Sequence, residues 1–371
     1  MTEPTAMRTE IEQQPAALRA TLDALLPRAA EAGQLAAGRR QVLFIARGTS
    51  DNAAVYGSYL LQAHAGMLAT LASPSIATEY RSRLDLSGVL AVALSQSGQT
   101  EEIVETLGWA RDCGAATLAI TNGASSALAG VADLALVTRA GPEHAVPATK
   151  TFTTQLAALA VLAIGLGAGL DPGQLRSVPD EIERMLASGL DEILDPIVTE
   201  LAGSVGCADL GAERRSGGSG GSPPRASAAG VVVSGRGMAY AAALELALKL
   251  KEACYLHAMG LSWADLLHGP IAVVDAETPA ILLAADSGPA LPGTIELARR
   301  VVEAGARAYA IGGGPGLAAA SSLAVPGPRL PEWLAPLGLI VPGQLLTEAL
   351  ARQLGLDPDS PRGLSKVTQT G

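Results

Sequence analysis

Short, wholly apolar runs alternate with helix-length Ala- and Leu-rich stretches along most of this chain. The first 40 residues read as a helical lead-in, with Leu18, Leu22, Leu25 and Leu26 at helical spacing. Residues 42–46 then form an apolar run ending in Arg47-Gly48-Thr49-Ser50, and a helical stretch follows to about His64. The run 89–94 ends in Ser95-Gln96-Ser97-Gly98, ahead of a helix from about Thr100 to Cys113. Residues 116–120 and 134–137 have the length and composition of further strands. Strands this apolar need cover on both faces. Alternation with helices builds βαβ units, so the pattern predicts an α/β fold with a parallel sheet and helices on both faces.

The same order then returns. Residues 231–234 lead into Gly235-Arg236-Gly237 and an Ala/Leu-rich helix to about Tyr255; a strand-like run 280–284, a helix 292–304 and a strand-like run 306–311 follow. Setting VLFIARGTS at 42–50 against VVVSGRGMA at 231–239 places Arg-Gly after an apolar run in both, which points to a duplicated α/β half. Between the halves, residues 211–230 are rich in Gly, Ser and Pro, cannot bury enough apolar surface to order themselves, and are expected to be disordered. The expected division is a lead-in over 1–40, a first half over 41–170, a helical connection with the linker over 171–229, a second half over 230–355 and a tail over 356–371.

A length of 371 residues suits two domains of ordinary size. Hydrophobic residues make up 49% but aromatics only 3%, so the cores must be filled by Ala, Val, Leu and Ile. The net charge of −10 argues against a nucleic-acid binder, which needs a basic stripe, yet leaves room for a small anion held by backbone N–H groups. Cys113, Cys207 and Cys254 form neither a disulfide framework nor a CxxC knuckle, and the four histidines are scattered, so no structural metal and no cofactor are expected. The longest apolar run, 156–169, is shorter than a membrane span and starts inside a predicted amphipathic helix. The polar N-terminus is unlike a secretory signal, so a cytoplasmic location is the expectation.

Four segments carry candidate chemistry. Ser95-Gln96-Ser97-Gly98-Gln99-Thr100 packs three hydroxyls, two amides and a turn-forming glycine between a strand and a helix. It reads either as a plain N-cap with acidic first-turn residues Glu101 and Glu102, or as a cradle in which hydroxyls and helix N–H groups converge on a phosphate. Thr49-Ser50 ends the neighbouring strand with the same two readings. In the 239–256 helix, Glu245, Lys249 and Glu252 share a face at i, i+4 and i+7. They form either an exposed salt-bridge ladder or, given their Ala and Leu neighbours, a buried group containing a general base. His268, before Gly269-Pro270, is held on a rigid turn and is a weaker acid/base candidate.

Together these segments resemble the double-SIS (sugar isomerase) family, which includes the glucosamine-6-phosphate synthases and stand-alone glucosamine-6-phosphate deaminases. The resemblance runs from about Val42 to Thr370. It is carried by ARGTS at 46–50, SQSGQT at 95–100, ATKTFTTQL at 148–156, GRG and ALELALKLKE between 235 and 252, LLHGP at 266–270 and PRGLSKVTQT at 361–370. It implies two tandem SIS halves, each a flavodoxin-like parallel sheet. It also implies that Ser95, Gln96, Ser97 and Thr100 hold the phosphate of a hexose or hexosamine 6-phosphate, with Thr49, Ser50 and Val146 in the same substrate-binding set. By the same resemblance Glu252 moves a proton between C1 and C2, and His268 opens the sugar ring from the partner subunit of a homodimer. Lys366 can form an imine with the keto sugar, and Lys249 plays a supporting part in catalysis.

Within that family, no cysteine lies in the roughly 40 residues before the first half, where a glutaminase would need one. Glutamine-driven synthesis is therefore not expected. The favoured reaction is isomerisation of glucosamine 6-phosphate followed by hydrolysis to fructose 6-phosphate and ammonia. A fructosamine 6-phosphate deglycase, a galactosamine 6-phosphate deaminase and a non-catalytic phosphosugar-binding regulator are the alternatives. Ala148 stands where the synthases carry a sugar-contacting serine, Met259 where they carry a glutamate, and Trp263 also departs from their pattern. Those differences touch the sugar side and leave its epimer open.

Overall fold

The structure, a computed structural model, describes residues 4–206 and 230–366. Nearly all of the linker expected to be disordered, and residues 367–371 of the tail, lie outside the described residues. Three helices open the chain: α1 (Ala6–Glu12), α2 (Gln14–Leu25) and α3 (Ala29–Leu35). The first half follows as β1 (Gln41–Ile45), α4 (Gly48–Leu60), β2 (Leu68–Leu71), α5 (Ser75–Thr78), β3 (Val89–Leu94), α6 (Glu101–Asp112), β4 (Ala116–Thr121), α7 (Ala127–Val131) and β5 (Leu134–Val137). Helices α8 (Lys150–Gly165), α9 (Pro172–Arg176), α10 (Val178–Leu186) and α11 (Leu190–Gly206) lead to the second half. That half runs β6 (Gly230–Gly235), α12 (Ala239–Cys254), β7 (His257–Ser262), α13 (Trp263–Leu267), β8 (Ala280–Ala284), α14 (Leu291–Glu303), β9 (Ala308–Gly312), α15 (Gly314–Ala320), β10 (Leu323–Val325) and α16 (Ala335–Gln353).

Each half builds one parallel five-stranded sheet. The first has the order β2-β1-β3-β4-β5 and the second β10-β9-β8-β6-β7, which is the same order counted from its own first strand. This is the flavodoxin-like winding, in which the connections reverse direction between the first and third strands and open a crevice at their carboxyl ends. Strands β3, β4, β8 and β9 are buried along their whole length, as their unbroken apolar runs require. The edge strands β2 and β7 are only half-buried, and neither carries a continuous apolar run, so neither was legible as a strand.

Helix α8 corrects one expectation. Its sequence was read as amphipathic, but it is buried from Lys150 to Ala163 on every face. It packs against α2, α3, α4 and α16, so lead-in, first half and C-terminal helix all close around it. A helix enclosed on all sides has no wet face to mark, and its only long charged side chain, Lys150, donates to Gln13 Oε1 at 2.5 Å.

The two halves meet helix to helix. α4 of the first half packs against α12 of the second, and Tyr56 of α4, fully buried, donates its hydroxyl to the carbonyl of Trp333 at 2.8 Å. This seam runs beside the β1/β3 crevice, and it brings second-half side chains to a first-half ligand cradle.

Candidate functional site

The turn after β3 is built to donate. Gly98 has φ +62°, and a Cβ there would come within 2.3 Å of Ser126 Oγ and 2.7 Å of Thr121 Oγ1, so only glycine fits. The turn is braced from below by Asn122, whose N–H donates to the Gln96 carbonyl at 3.1 Å. Ser95 Oγ accepts from the Gly98 N–H at 3.1 Å, and Ser97 Oγ accepts from the Gln99 N–H at 3.2 Å. Each serine thus uses its oxygen as acceptor inside the turn and keeps its O–H to offer a ligand. Thr100 is the N-cap of α6 by backbone conformation, but its side chain makes no capping hydrogen bond. A plain cap would spend that hydroxyl on the helix; here it lines the cavity.

The turn after β1 lies beside it. The N-cap of α4 is Arg47, without a side-chain cap, and Thr49 and Ser50 fall inside the first turn of the helix. The simple N-cap reading of Thr49-Ser50 therefore does not hold. Thr49 Oγ1 donates to Glu245 Oε1 at 2.9 Å and accepts from Lys249 Nζ at 3.2 Å, while Ser50 Oγ accepts from Gln155 Nε2 at 3.0 Å. Arg47 at the rim forms a two-point pair with Glu102, at 2.9 and 2.8 Å.

Across the seam, α12 presents its charged face to this crevice, and the face is buried. Glu245 and Lys249 have side chains 0% and 1% exposed, and Glu252 is 23% exposed. Lys249 Nζ lies 3.2 Å from Glu245 Oε1 and 2.6 Å from Glu252 Oε2. Asn52 of α4 donates to Glu245 Oε2 at 2.8 Å. Burial pushes the Glu245 carboxyl up; Lys249 opposes that shift and Glu252 reinforces it. Burial also works against the Lys249 ammonium, but Glu245 and Glu252 outweigh it and hold the amine above its ordinary value. The exposed-ladder reading of this face is excluded. Glu252 is the member of the group that reaches the cavity with surface to spare.

The tail closes the opposite wall. Lys366 Nζ donates to Glu143 Oε2 at 2.8 Å and to the Ala145 carbonyl at 2.6 Å. Glu143 is fully buried and also accepts from Thr149 N at 2.9 Å, Thr151 N at 3.1 Å and Thr151 Oγ1 at 2.6 Å. Burial alone would raise its carboxyl, but Lys366 and these donors outweigh burial and hold it below the ordinary carboxylate range. The sign of the linked stability follows. A lowered folded value stabilises the fold above the unfolded value of about 4.3, and the contribution is lost as pH falls through the folded value. Urea midpoints taken from pH 6 to pH 3 are expected to show wild type more stable than Glu143→Gln at neutral pH. The gap should narrow below about pH 4; a gap that widens there contradicts the assignment.

One cavity of about 340 Å³ joins these walls, within the usual size range of small-molecule sites. The hydroxyl turn contributes Ser95, Gln96, Ser97 and Thr100, and the β1 turn contributes Arg47 to Ser50. Val146 and Ala148 come from the segment before α8, Lys249 and Glu252 from α12, and Leu364 to Lys366 from the tail. The site residues expected from the sequence are therefore brought together here, except His268 and Glu245, the latter pairing with Lys249 without lining the cavity. His268 caps α13, is exposed, and does not line the cavity within one chain. Among the departures, Ala148 lines the cavity, whereas Met259 and Trp263 do not; Trp263 stacks under Arg236 at 4.6 Å. Sequence reasoning missed Arg47, Asn52, Glu143 and Gln155. Asn52 follows Thr49 by three positions on one helix, and Gln155 lies within the ATKTFTTQL segment, so both carried a signal. Glu143 carried none, since its partner is 223 residues away.

Comparison with known proteins agrees with this architecture. The SIS domain profile matches residues 36–165 and 226–322, which span β1 to α8 and β6 to α15. The chain belongs to the SIS domain family. Among SIS relatives, the glutamine–fructose-6-phosphate aminotransferase (isomerizing) of Pyrococcus horikoshii is 32% identical over 363 residues, or 97% of this chain. The chain spans 57% of that relative's length. A crystal structure from Silicibacter pomeroyi DSS-3, described as a candidate phosphosugar isomerase, is 33% identical with a TM-score of 0.78, covering 96% of this chain and 100% of the other. The C-terminal domain of glucosamine-fructose-6-phosphate aminotransferase from Francisella tularensis is 26% identical with a TM-score of 0.77, covering 97% and 99%. Among the described residues, no helix is long and apolar enough to cross a membrane.

Proposed function

We propose that the cavity binds a hexose or hexosamine 6-phosphate and shifts a proton between C1 and C2, with glucosamine 6-phosphate converted to fructose 6-phosphate and ammonia. The observation that carries this reading is that a hydroxyl-lined anion cradle, the Glu252 carboxylate and the Lys366 amine line one cavity. The phosphate takes the O–H groups of Ser95, Ser97 and Thr100 and the first-turn N–H groups of α6. Binding energy from that remote end holds the open-chain sugar in place. Glu252 removes the C2 proton of the open-chain aldehyde and returns it to C1, which leaves a keto carbon at C2 in imine form. Water then adds at C2 and ammonia leaves. Lys366 is the amine within reach of a carbonyl carbon of the keto sugar. Ring opening falls to the partner subunit's His268 in a homodimer, since His268 of the same chain does not line the cavity.

The relatives' own names support the isomerisation, because the Pyrococcus horikoshii protein is called isomerizing. The ammonia-releasing step is the finer part of the reading and rests on the chemistry of an amine at C2. Pure protein incubated with glucosamine 6-phosphate is expected to release equal amounts of ammonia and fructose 6-phosphate. Galactosamine 6-phosphate and fructosamine 6-phosphate in parallel would separate the deaminase from its alternatives. Gly98→Ala, which forces a Cβ onto Ser126, is expected to abolish thermal stabilisation by the sugar phosphate at a folding cost of about 1–3 kcal/mol. Turnover of none of the three compounds, or undiminished ligand stabilisation in Gly98→Ala, overturns the proposal.

A further inference from the structure

The tail reaches the cavity along a path pinned at several points. Asp359 caps the start of α1 through Ala6 N and Met7 N at 2.8 and 2.7 Å, and its own carbonyl accepts from Val146 N at 2.9 Å. Arg362 donates its N–H to the Tyr255 hydroxyl at 2.8 Å, and its guanidinium lies 4.3 Å from the centre of that ring. Tyr255 itself ends α12 in the left-handed conformation, φ 56°, which ties the tail to the helix carrying Glu252. Four residues beyond Arg362 the chain arrives at Lys366, which is anchored there by Glu143 and the Ala145 carbonyl.

We infer that Glu143 is a positioning residue that holds the Lys366 ammonium at the cavity wall and so fixes where the tail's amine meets a ligand. Its catalytic meaning rests on the phosphosugar reading above; its geometry does not. A carboxylate offers about four acceptor directions, and here five donors crowd onto them: Thr149 N, Thr149 Oγ1 and Thr151 N on Oε1, and Thr151 Oγ1 and Lys366 Nζ on Oε2. So saturated, the carboxylate cannot swing. It presents one fixed site to a lysine that otherwise has a long flexible stem. The surrounding charges leave that role to it. Glu10 of α1 is turned to the backbone, accepting from the N–H groups of His144 and Ala145, the latter at 3.2 Å. Lys150 of α8 is engaged with Gln13. Lys249 and Glu252, on the facing helix, are paired with each other, and Arg47 is paired with Glu102.

The chain has four lysines, of which Lys150 and Lys249 are buried and Lys251 is exposed, so Lys251 serves as an internal reference. The test is acetylation by acetic anhydride at one fixed pH, with each lysine followed by peptide mass spectrometry. In wild type, Lys366 is expected to react roughly tenfold more slowly than Lys251, because its amine must first leave Glu143 and the Ala145 carbonyl to meet the reagent. Glu143→Gln is expected to erase most of that protection and to lower kcat for the sugar phosphate while KM stays put, since the phosphate cradle is untouched. Glu143→Asp, which keeps the charge, is expected to recover part of both. Equal reactivity of Lys366 and Lys251 in wild type overturns the proposal and needs no variant to fold. So does a Glu143→Gln protein that raises KM as much as it lowers kcat. A protein that turns over no sugar phosphate yet shows protected Lys366 sinks the phosphosugar reading and leaves the Glu143 anchor standing.

Discussion

Glutamine in place of Glu252 is expected to lower turnover of the amino-sugar phosphate by about 10²–10⁴-fold, the range that a positioned general base contributes. The amide keeps the shape of the side chain but cannot accept the C2 proton. KM should change little, because the proposed function assigns the phosphate to the turn after β3, and Glu252 is contributed by α12 of the other half. Folding should change little as well. Glu252 is 23% exposed, and Lys249 retains its second carboxylate partner, Glu245. Release of the C2 proton into deuterated water gives a second readout, expected to fall together with turnover, because no product forms without breaking the C2–H bond. A variant that turns over and releases that proton at the wild-type rate removes Glu252 from the mechanism.

The largest stability effect is expected at Lys249. Changing it to methionine leaves Glu245 fully buried with only Thr49 and Asn52 as donors, and beside a second carboxylate. Removing one partner of a buried ion pair costs about 3–5 kcal/mol. The remaining carboxyl has its folded value raised, so it is favoured in the protonated form. The cost of Lys249→Met should therefore shrink as pH falls, because protonation relieves the stranded charge. Adding Glu245→Gln to Lys249→Met should recover much of the loss, since an amide can accept from Thr49 without a buried charge. Urea midpoints for the two single variants and the double variant form the cycle that measures this coupling. A Lys249→Met protein within about 1 kcal/mol of wild type would show that the three charges are not coupled as the distances imply.

Both expectations have one structural origin. The hydroxyl-rich turn belongs wholly to the first half, at the crevice between β1 and β3, whereas the charged group belongs to α12 of the second half. Thr49 and Asn52 bridge the two by hydrogen bonds to Glu245. Chemistry at the cavity therefore depends on the α4–α12 seam as much as on any single motif. The crevice of the second half has no comparable equipment, for Ala285-Asp286-Ser287-Gly288 stands in the place of Ser95-Gln96-Ser97-Gly98. There Asp286 Oδ1 accepts from Gly314 N at 3.0 Å, and a carboxylate repels the anion that the first crevice would receive.

The order of strands and helices, the duplication and the tight turn after β3 were legible along the chain, because fully buried strands must be continuously apolar and a sharp strand-to-helix turn needs Gly. The edge strands β2 and β7 and the enclosure of α8 were not, since a half-wet strand and an all-round buried helix leave no periodic mark. The face carrying Glu245, Lys249 and Glu252 could be listed from spacing, but its burial could not, because α4 supplies the cover from about 190 positions upstream. Glu143 was invisible for a related reason: a lone acid gains its meaning only when folding brings Lys366 to it. Local pattern determines which segments fold and what chemistry they carry. Which charges lose water and which partners meet depends on contacts between distant segments, and only the packed halves decide that.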